Sequence, residues 1–404
     1  MEQNIEEQNC NDSKISNHIV KKNTIYKRTK MSNFGLKLSS LYTNMPLYKI
    51  VLITIAVAIF FGVISVFLVK NVGIYNFGLA AFGQSFARLT KVLIKEGSMS
   101  SQVRNLIDQF IFWIAYIILS IPIFIFGYKK IGSLFTNLTV IFLVVSSVVS
   151  FSIGLIPGAN DVYLIGDFSN KDVKDNLTEW QKPLSDLIPL SWSYKDSGNI
   201  ISLMLYSILY GYLLAWIFAI IQIIGGTAGV TGVIGEWYAN TKQKSFGSIS
   251  GYMNIIIVLI CVGIGSYLPG SIVLKDANDP RAWNFELYLS PNFIATILTN
   301  VVYILTLNKL YPKFKLVRLE IYSQKWQEVQ KVIINDRKIV TGITIFRAKG
   351  GFKGSDINVV TSIALFRHVL RLISDVRKVD KNAFISVSDV TSIDGHVYLP
   401  EEKF

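Results

Sequence analysis

Hydrophobic positions in this chain cluster into long uncharged runs, separated by short basic turns and two acid-rich loops. The first run covers residues 48–69, with no charge after Lys49. A helix rises about 1.5 Å per residue, so a run of this length crosses the hydrocarbon layer of a bilayer, which takes about 20 residues. Comparable runs at 107–126, 131–153, 199–221, 249–268 and 287–307 predict five more crossings. Two further uncharged stretches differ from these. Residues 71–87 carry Gly73, Gly78 and Gly83, and residues 223–236 carry Gly225, Gly226, Gly229, Gly232 and Gly235. A glycine in a helix interior costs about 1 kcal/mol relative to alanine. Both stretches therefore predict interruptions, where bare backbone lets a neighbouring helix or a solute come close.

Charge placement favours one of two topologies. Eight spans result if both glycine-rich stretches cross completely, and Lys129 and Lys130 then face outward. Six result if both are re-entrant hairpins. Lys129, Lys130, Lys242 and Lys244 then lie inside with the C-terminal region, and both acid-rich loops lie outside, as positive-inside asymmetry requires. The six-span scheme is preferred, although it puts the Arg88–Arg104 stretch, with Lys91 and Lys95, on the outer side. It also exposes an internal repeat: span, glycine-rich hairpin, span, span occurs over 48–153 and again over 199–307, with an outer loop at 157–198 between them. An odd number of crossings per copy makes the copies inverted, and in transporters such repeats bring broken helices together around a solute.

Candidate binding residues follow from this pattern. Gly225, Gly226, Thr227, Gly229, Thr231 and Glu236 form a substrate-binding hypothesis at the second hairpin, and Gln84, Ser85 and Gln222 are the other polar groups near the breaks. A carboxylate near membrane depth points to function by default. Trp237, Tyr238 and Lys242 beside Glu236 also fit a water boundary, and threonines in such a break also act as helix glue.

Composition agrees with a membrane class: 51% of residues are hydrophobic and only 17% charged. The net charge of +13 is scattered through tails and loops rather than gathered on one face, which argues for an anionic lipid surface and against nucleic acid. Residues 1–46 read as a disordered basic cytoplasmic tail with no signal-peptide pattern. Cys10 and Cys261 suit neither a disulfide nor a metal cluster, and His18, His368 and His396 are too dispersed for a ligand set. No metal, no cofactor and no catalytic constellation is expected, so the chain does not read as an enzyme.

Past Asn308 the pattern turns soluble. A strand at 315–322, a helix capped by Ser323 with an apolar stripe of Trp326, Val329, Ile333 and Ile334, strands at 342–347 and 358–366, a helix at 367–379 and a strand at 383–387 give βαββαβ, the ferredoxin-like α+β order, over 312–404. Between its middle strands, Arg347, Lys349, Gly350, Gly351, Lys353 and Gly354 make a cationic glycine-rich loop able to wrap an anionic small-molecule effector.

The chain resembles the YitT family of bacterial membrane proteins. The likeness is carried by Gly225-Gly226-Thr227-Ala228-Gly229, by Gly342-Ile343-Thr344, by Gly350-Gly351-Phe352-Lys353-Gly354 and by Ser388-Asp389-Val390. It implies a duplicated glycine-motif membrane region followed by a cytosolic domain. The first hairpin departs from that pattern, since Gly78 to Gly83 lacks paired glycines. The expectation is a multi-pass protein of the bacterial cell membrane, both termini cytoplasmic. It would serve as a permease or channel for a small solute, regulated by its cytosolic domain. The alternative is a membrane-anchored sensor or scaffold without transport, and a homo-oligomer stays open.

Overall fold

The computed structural model describes residues 38, 41, 45–93, 101–168, 190–242, 244–312, 314–336, 342–351 and 354–391. The tail expected over 1–46 lies almost wholly outside these. So do Cys10, His18, His396, Lys95, Lys353 and the loop carboxylates Asp172, Asp175, Glu179 and Asp186. The chain divides into two compact units at Tyr311–Pro312.

Among the described residues, the first unit contains six helices long and apolar enough to cross a membrane. They are α1 (Leu47–Lys70), α3 (Ser101–Lys130, apolar from Phe110), α4 (Ser133–Gly154), α5 (Ser197–Ile223), α7 (Phe246–Asp276) and α9 (Pro291–Leu310, preceded by the one-turn α8, Phe285–Tyr288). Two shorter helices, α2 (Ala80–Leu93) and α6 (Thr231–Lys242), follow the two glycine-rich breaks. Expected centres of the spans agree with the helices, whereas several ends differ. Helix α7 runs eight residues beyond the expected Leu268, through a π-turn at Gly263–Tyr267 and past Pro269, whose missing N–H falls in the loosened turn.

Burial is reversed relative to a water-soluble bundle. Leu52 is 65% exposed and Leu305 61%, while Thr54, Ser85, Ser207, Thr227 and Ser271 are all at 0%. An apolar exterior around a core that holds small polar side chains suits a lipid solvent, in which helices associate through close packing and hydrogen bonds.

The packing repeats as the element order does. Helix α1 lies on α4 and α5 on α9; α2 lies on α3 and α6 on α7; and each short helix also touches the middle span of the other copy, α2 on α7 and α6 on α3. Glycines mark equivalent crossings. A Cβ on Gly62 of α1 would stand 2.9 Å from the Ser146 carbonyl oxygen of α4, and one on Gly211 of α5 would stand 2.6 Å from the Thr299 carbonyl oxygen of α9. A Cβ on Gly83 of α2 would stand 2.7 Å from the Phe112 carbonyl oxygen of α3, and one on Gly235 of α6 would stand 3.4 Å from the Phe246 ring of α7. Between copies, Gly265 of α7 meets Ser85 of α2, and Gly127 of α3 meets Val233 of α6.

The second unit folds as β1 (Leu316–Tyr322), α10 (Trp326–Asn335), β2 (Ile343–Lys349), β3 (Asp356–Leu365), α11 (Val369–Val379) and β4 (Phe384–Asp389). Its antiparallel sheet has the order β2-β3-β1-β4, the ferredoxin-like arrangement. Val317, Leu319, Ile321 and Val360 of the sheet face Val329, Ile333, Leu372 and Val376 of the helices. Two details differ from expectation. Ile334 is 62% exposed, because it sits one residue, about 100°, around α10 from Ile333. Ser323 does not cap α10, whose N-cap is Lys325. Instead its Oγ accepts from the Lys325 N–H at 3.0 Å and donates to Asp380 Oδ2 at 2.5 Å, since a carboxylate is the stronger acceptor in reach.

Two outcomes are expected. Gly211→Ala forces α5 and α9 apart and lowers stability by about 1–3 kcal/mol, read as a lower unfolding temperature of the detergent-solubilised protein. Gly198→Ala, where a Cβ meets nothing within 4 Å, does not lower that temperature, since alanine is also the better helix former. In the second unit, the hydrogen bond from Ser323 holds the Asp380 carboxyl below its ordinary value. A lowered folded-state value contributes stability that is present above the usual carboxyl range near 4 and lost as pH falls through the lowered value. Hydrogen exchange at Asn382, measured from pH 7 downward, should accelerate along that course. Ser323→Ala should remove about 1 kcal/mol at pH 7 and flatten it.

Candidate functional site

The two breaks come together. A Cβ on Gly78, in the break between α1 and α2, would collide with Thr231 Oγ1 at the first residue of α6. Leu79 and Val230 share one apolar cluster, and Phe77 packs edge-on to Phe218 of α5 at 5.1 Å. Gly78 has φ +69° and Gly225 φ +96°, left-handed conformations in which only glycine is unstrained, so both turns are set by residue type.

In the first break the polar groups are tied to one another. Gln84 of α2 reaches back to accept from the Asn76 N–H at 3.1 Å and to donate to the Ile74 carbonyl at 3.2 Å. The Gly78 N–H donates to Asn254 Oδ1 at 2.6 Å, and Asn254 Nδ2 donates to Asn300 Oδ1 at 2.6 Å. The Tyr75 N–H donates to Thr296 Oγ1 at 3.2 Å, Asn292 Nδ2 donates to the Val72 carbonyl at 3.2 Å, and Ser65 Oγ donates to Asn76 Oδ1 at 2.9 Å. Tyr75 also shares a 2.6 Å hydrogen bond with Ser266, on whose Oγ Arg88 of α2 donates at 3.3 Å while lying 5.0 Å from the Tyr75 ring centre.

The second break is fastened more sparsely. Gly225 and Gly226 donate back into the end of α5, to the Gln222 and Ile221 carbonyls. The Thr227 N–H donates to Thr139 Oγ1 of α4 at 3.2 Å. Gly226 lies against Leu138, and Gly229 against Phe218. Gln222, on the last turn of α5, is 4% exposed and neither its amide oxygen nor its amide nitrogen has a partner. Thr227 is fully buried with its hydroxyl unpartnered, pressed against Gly232 on the first turn of α6. An unmet buried amide or hydroxyl costs about 1–3 kcal/mol, so native proteins keep few of them without a use.

Of the residues singled out at this hairpin, Gly225, Gly226, Thr227 and Gly229 lie in the non-helical stretch, whereas Thr231 and Glu236 are already on α6. Glu236 is 1% exposed, and its Oε1 accepts from Asn240 Nδ2 at 3.4 Å, one turn further along. Gln84 and Glu236 each directly follow the packing glycine of their short helix, Gly83 and Gly235, so they occupy equivalent places. Sequence reasoning missed Asn254, Asn292, Thr296 and Asn300. The signal was present: 292, 296, 299 and 300 fall on one face of α9, polar positions at helical spacing within an apolar run.

In the second unit, Arg347 and Lys349 are exposed on β2, an edge strand, and the described residues Gly350, Gly351, Gly354 and Ser355 lie between β2 and β3. The Gly350 N–H donates to the Ser355 carbonyl and the Gly354 N–H to the Gly350 carbonyl, both at 2.8 Å, so these two amides close the turn itself. Gly351 is exposed, and Lys353 lies outside the described residues. No group of three metal-ligand side chains occurs among the described residues.

Comparison with known proteins places this architecture among relatives. Residues 341–395 match a family model described as "Uncharacterized protein conserved in bacteria (DUF2179)". "Uncharacterized protein MG443" of Mycoplasma genitalium is 33% identical over 383 residues, covering 92% of this chain and 94% of its own. Its Mycoplasma pneumoniae homolog is 32% identical with the same coverage, and the "MG432 homolog" of that species is 30% identical over 92% of both chains. No solved structure matches the chain. The chain belongs to the family formed by these uncharacterised mycoplasma proteins, and it carries a DUF2179 region within its second unit.

Proposed function

We propose that this chain is a YitT-type permease or channel of the bacterial cell membrane, passing a small solute where its two broken helices meet, with both termini cytoplasmic. The observation that carries the reading is the inequality of the breaks. The backbone of the first is met by Gln84 and by Asn254 of the other copy, while the second holds the Gln222 amide and the Thr227 hydroxyl buried and unmet. A solute that hydrogen-bonds to both relieves that cost during passage. The repeated packing of the two copies supports it, since inverted repeats with interrupted helices build midplane sites. Glu236, buried beside this hairpin, is the group we assign to proton or ion coupling. Control falls to the second unit, where Arg347 and Lys349 beside the glycine turn would take an anionic effector.

Orientation is tested by impermeant thiol labelling of intact cells, in a chain freed of Cys10 and Cys261. Asp276→Cys should label from outside and Lys130→Cys only after lysis; the reverse pattern overturns the scheme. Transport is tested in proteoliposomes against a panel of ions, amino acids and nucleobases. At least one should pass, and Gln222→Leu should slow it about tenfold, the worth of one hydrogen bond to a polar solute. Vesicles closed to the whole panel would leave the scaffold reading in its place.

A further inference from the structure

The short helices α2 and α6 both begin at the breaks, and the contact between Gly78 and Thr231 Oγ1 puts their N-terminal ends side by side. A helix N-terminus carries roughly half a positive charge from its aligned peptide dipoles. No acidic residue stands in the first turn of either helix to offset it. Two such ends meeting in a low-dielectric interior repel cations and attract negative charge.

The side chains at this point agree. The unpartnered Thr227 hydroxyl rests against Gly232, the second residue of α6, and the unpartnered Gln222 amide sits on the turn that leads into the same break. Both supply donors: the threonine O–H and the glutamine N–H₂. The nearest carboxylate on α6, Glu236, is engaged by Asn240 toward the other end of the helix. On α2 the charged side chains are Arg88 and Lys91, both cationic. The Arg88 guanidinium, held on Ser266 and the Tyr75 ring, adds a further positive charge in the first copy.

Resting on the permease reading, we infer that the solute accepted at the second break is a small anion of halide, nitrate or simple carboxylate type. It would be held by the N-terminal turn of α6, the Thr227 hydroxyl and the Gln222 amide. The first break, already filled by Gln84, Asn254 and Thr296, provides field rather than ligands.

The test uses the full chain in detergent with sodium chloride, nitrate or formate as probes, against sodium gluconate at equal ionic strength, and measures the unfolding midpoint. At least one small anion should raise the midpoint saturably. Thr227→Val and Gln222→Leu should each weaken the half-saturating concentration about tenfold. Thr54→Val, a buried threonine bonded only to its own helix at Ile50, should respond as the parent does. No shift with any small anion, or an equal shift in both site variants, overturns the inference. In vesicles, potassium passage with the anions excluded overturns it as well, while leaving the permease reading intact. Anion stabilisation without flux of any solute keeps the anion site and removes the permease.

Discussion

A peptide group without a partner in a hydrocarbon layer costs on the order of several kcal/mol, and this chain interrupts two helices within its apolar unit. The interruptions persist because side chains stand in for the lost helical hydrogen bonds. Gln84 bridges its own break from about one turn into α2, and Asn254 and Thr296 reach it from the other copy. That requirement explains why α9 carries Asn292, Thr296 and Asn300 toward the centre, and why polar residues fill the interior while leucines face outward.

Satisfying the breaks requires helices close enough for short side chains to span the gap, and glycine supplies that approach. The equivalent crossings at Gly62 and Gly211, at Gly83 and Gly235, and at Gly265 and Gly127 set a bare backbone against a neighbouring helix's backbone or side chain. In lipid there is no hydrophobic force between helices to hold a looser arrangement, so dispersion at such contacts and interhelical hydrogen bonds carry the association.

Much of this was legible in the sequence. Uncharged run length located all six long helices, and the Lys129–Lys130 turn and the paired glycines at 225–226 marked where helices end. In the second unit, period-two alternation from Leu316 to Tyr322 and the stripe through Val329 and Ile333 sufficed for the ferredoxin-like order. Partners across the bundle were not legible. That Asn254 serves Gly78, or that Gly265 faces Ser85, depends on which helices adjoin, and residue spacing within one helix says nothing of its neighbours. Ser323 went astray for the same reason, its acceptor Asp380 lying 57 positions away.

The contrast between Gln84 and Glu236 has a consequence for how the two copies diverged. Each follows the packing glycine of its short helix. One is an amide, which can both give and take a hydrogen bond and ties down its own break. The other is an acid, which cannot fill the donor half of that role when ionised. The halves of this protein are therefore no longer exchangeable: Gln84 holds the first break only together with Asn254 and Thr296 of the second copy, so neither copy duplicated would rebuild that arrangement.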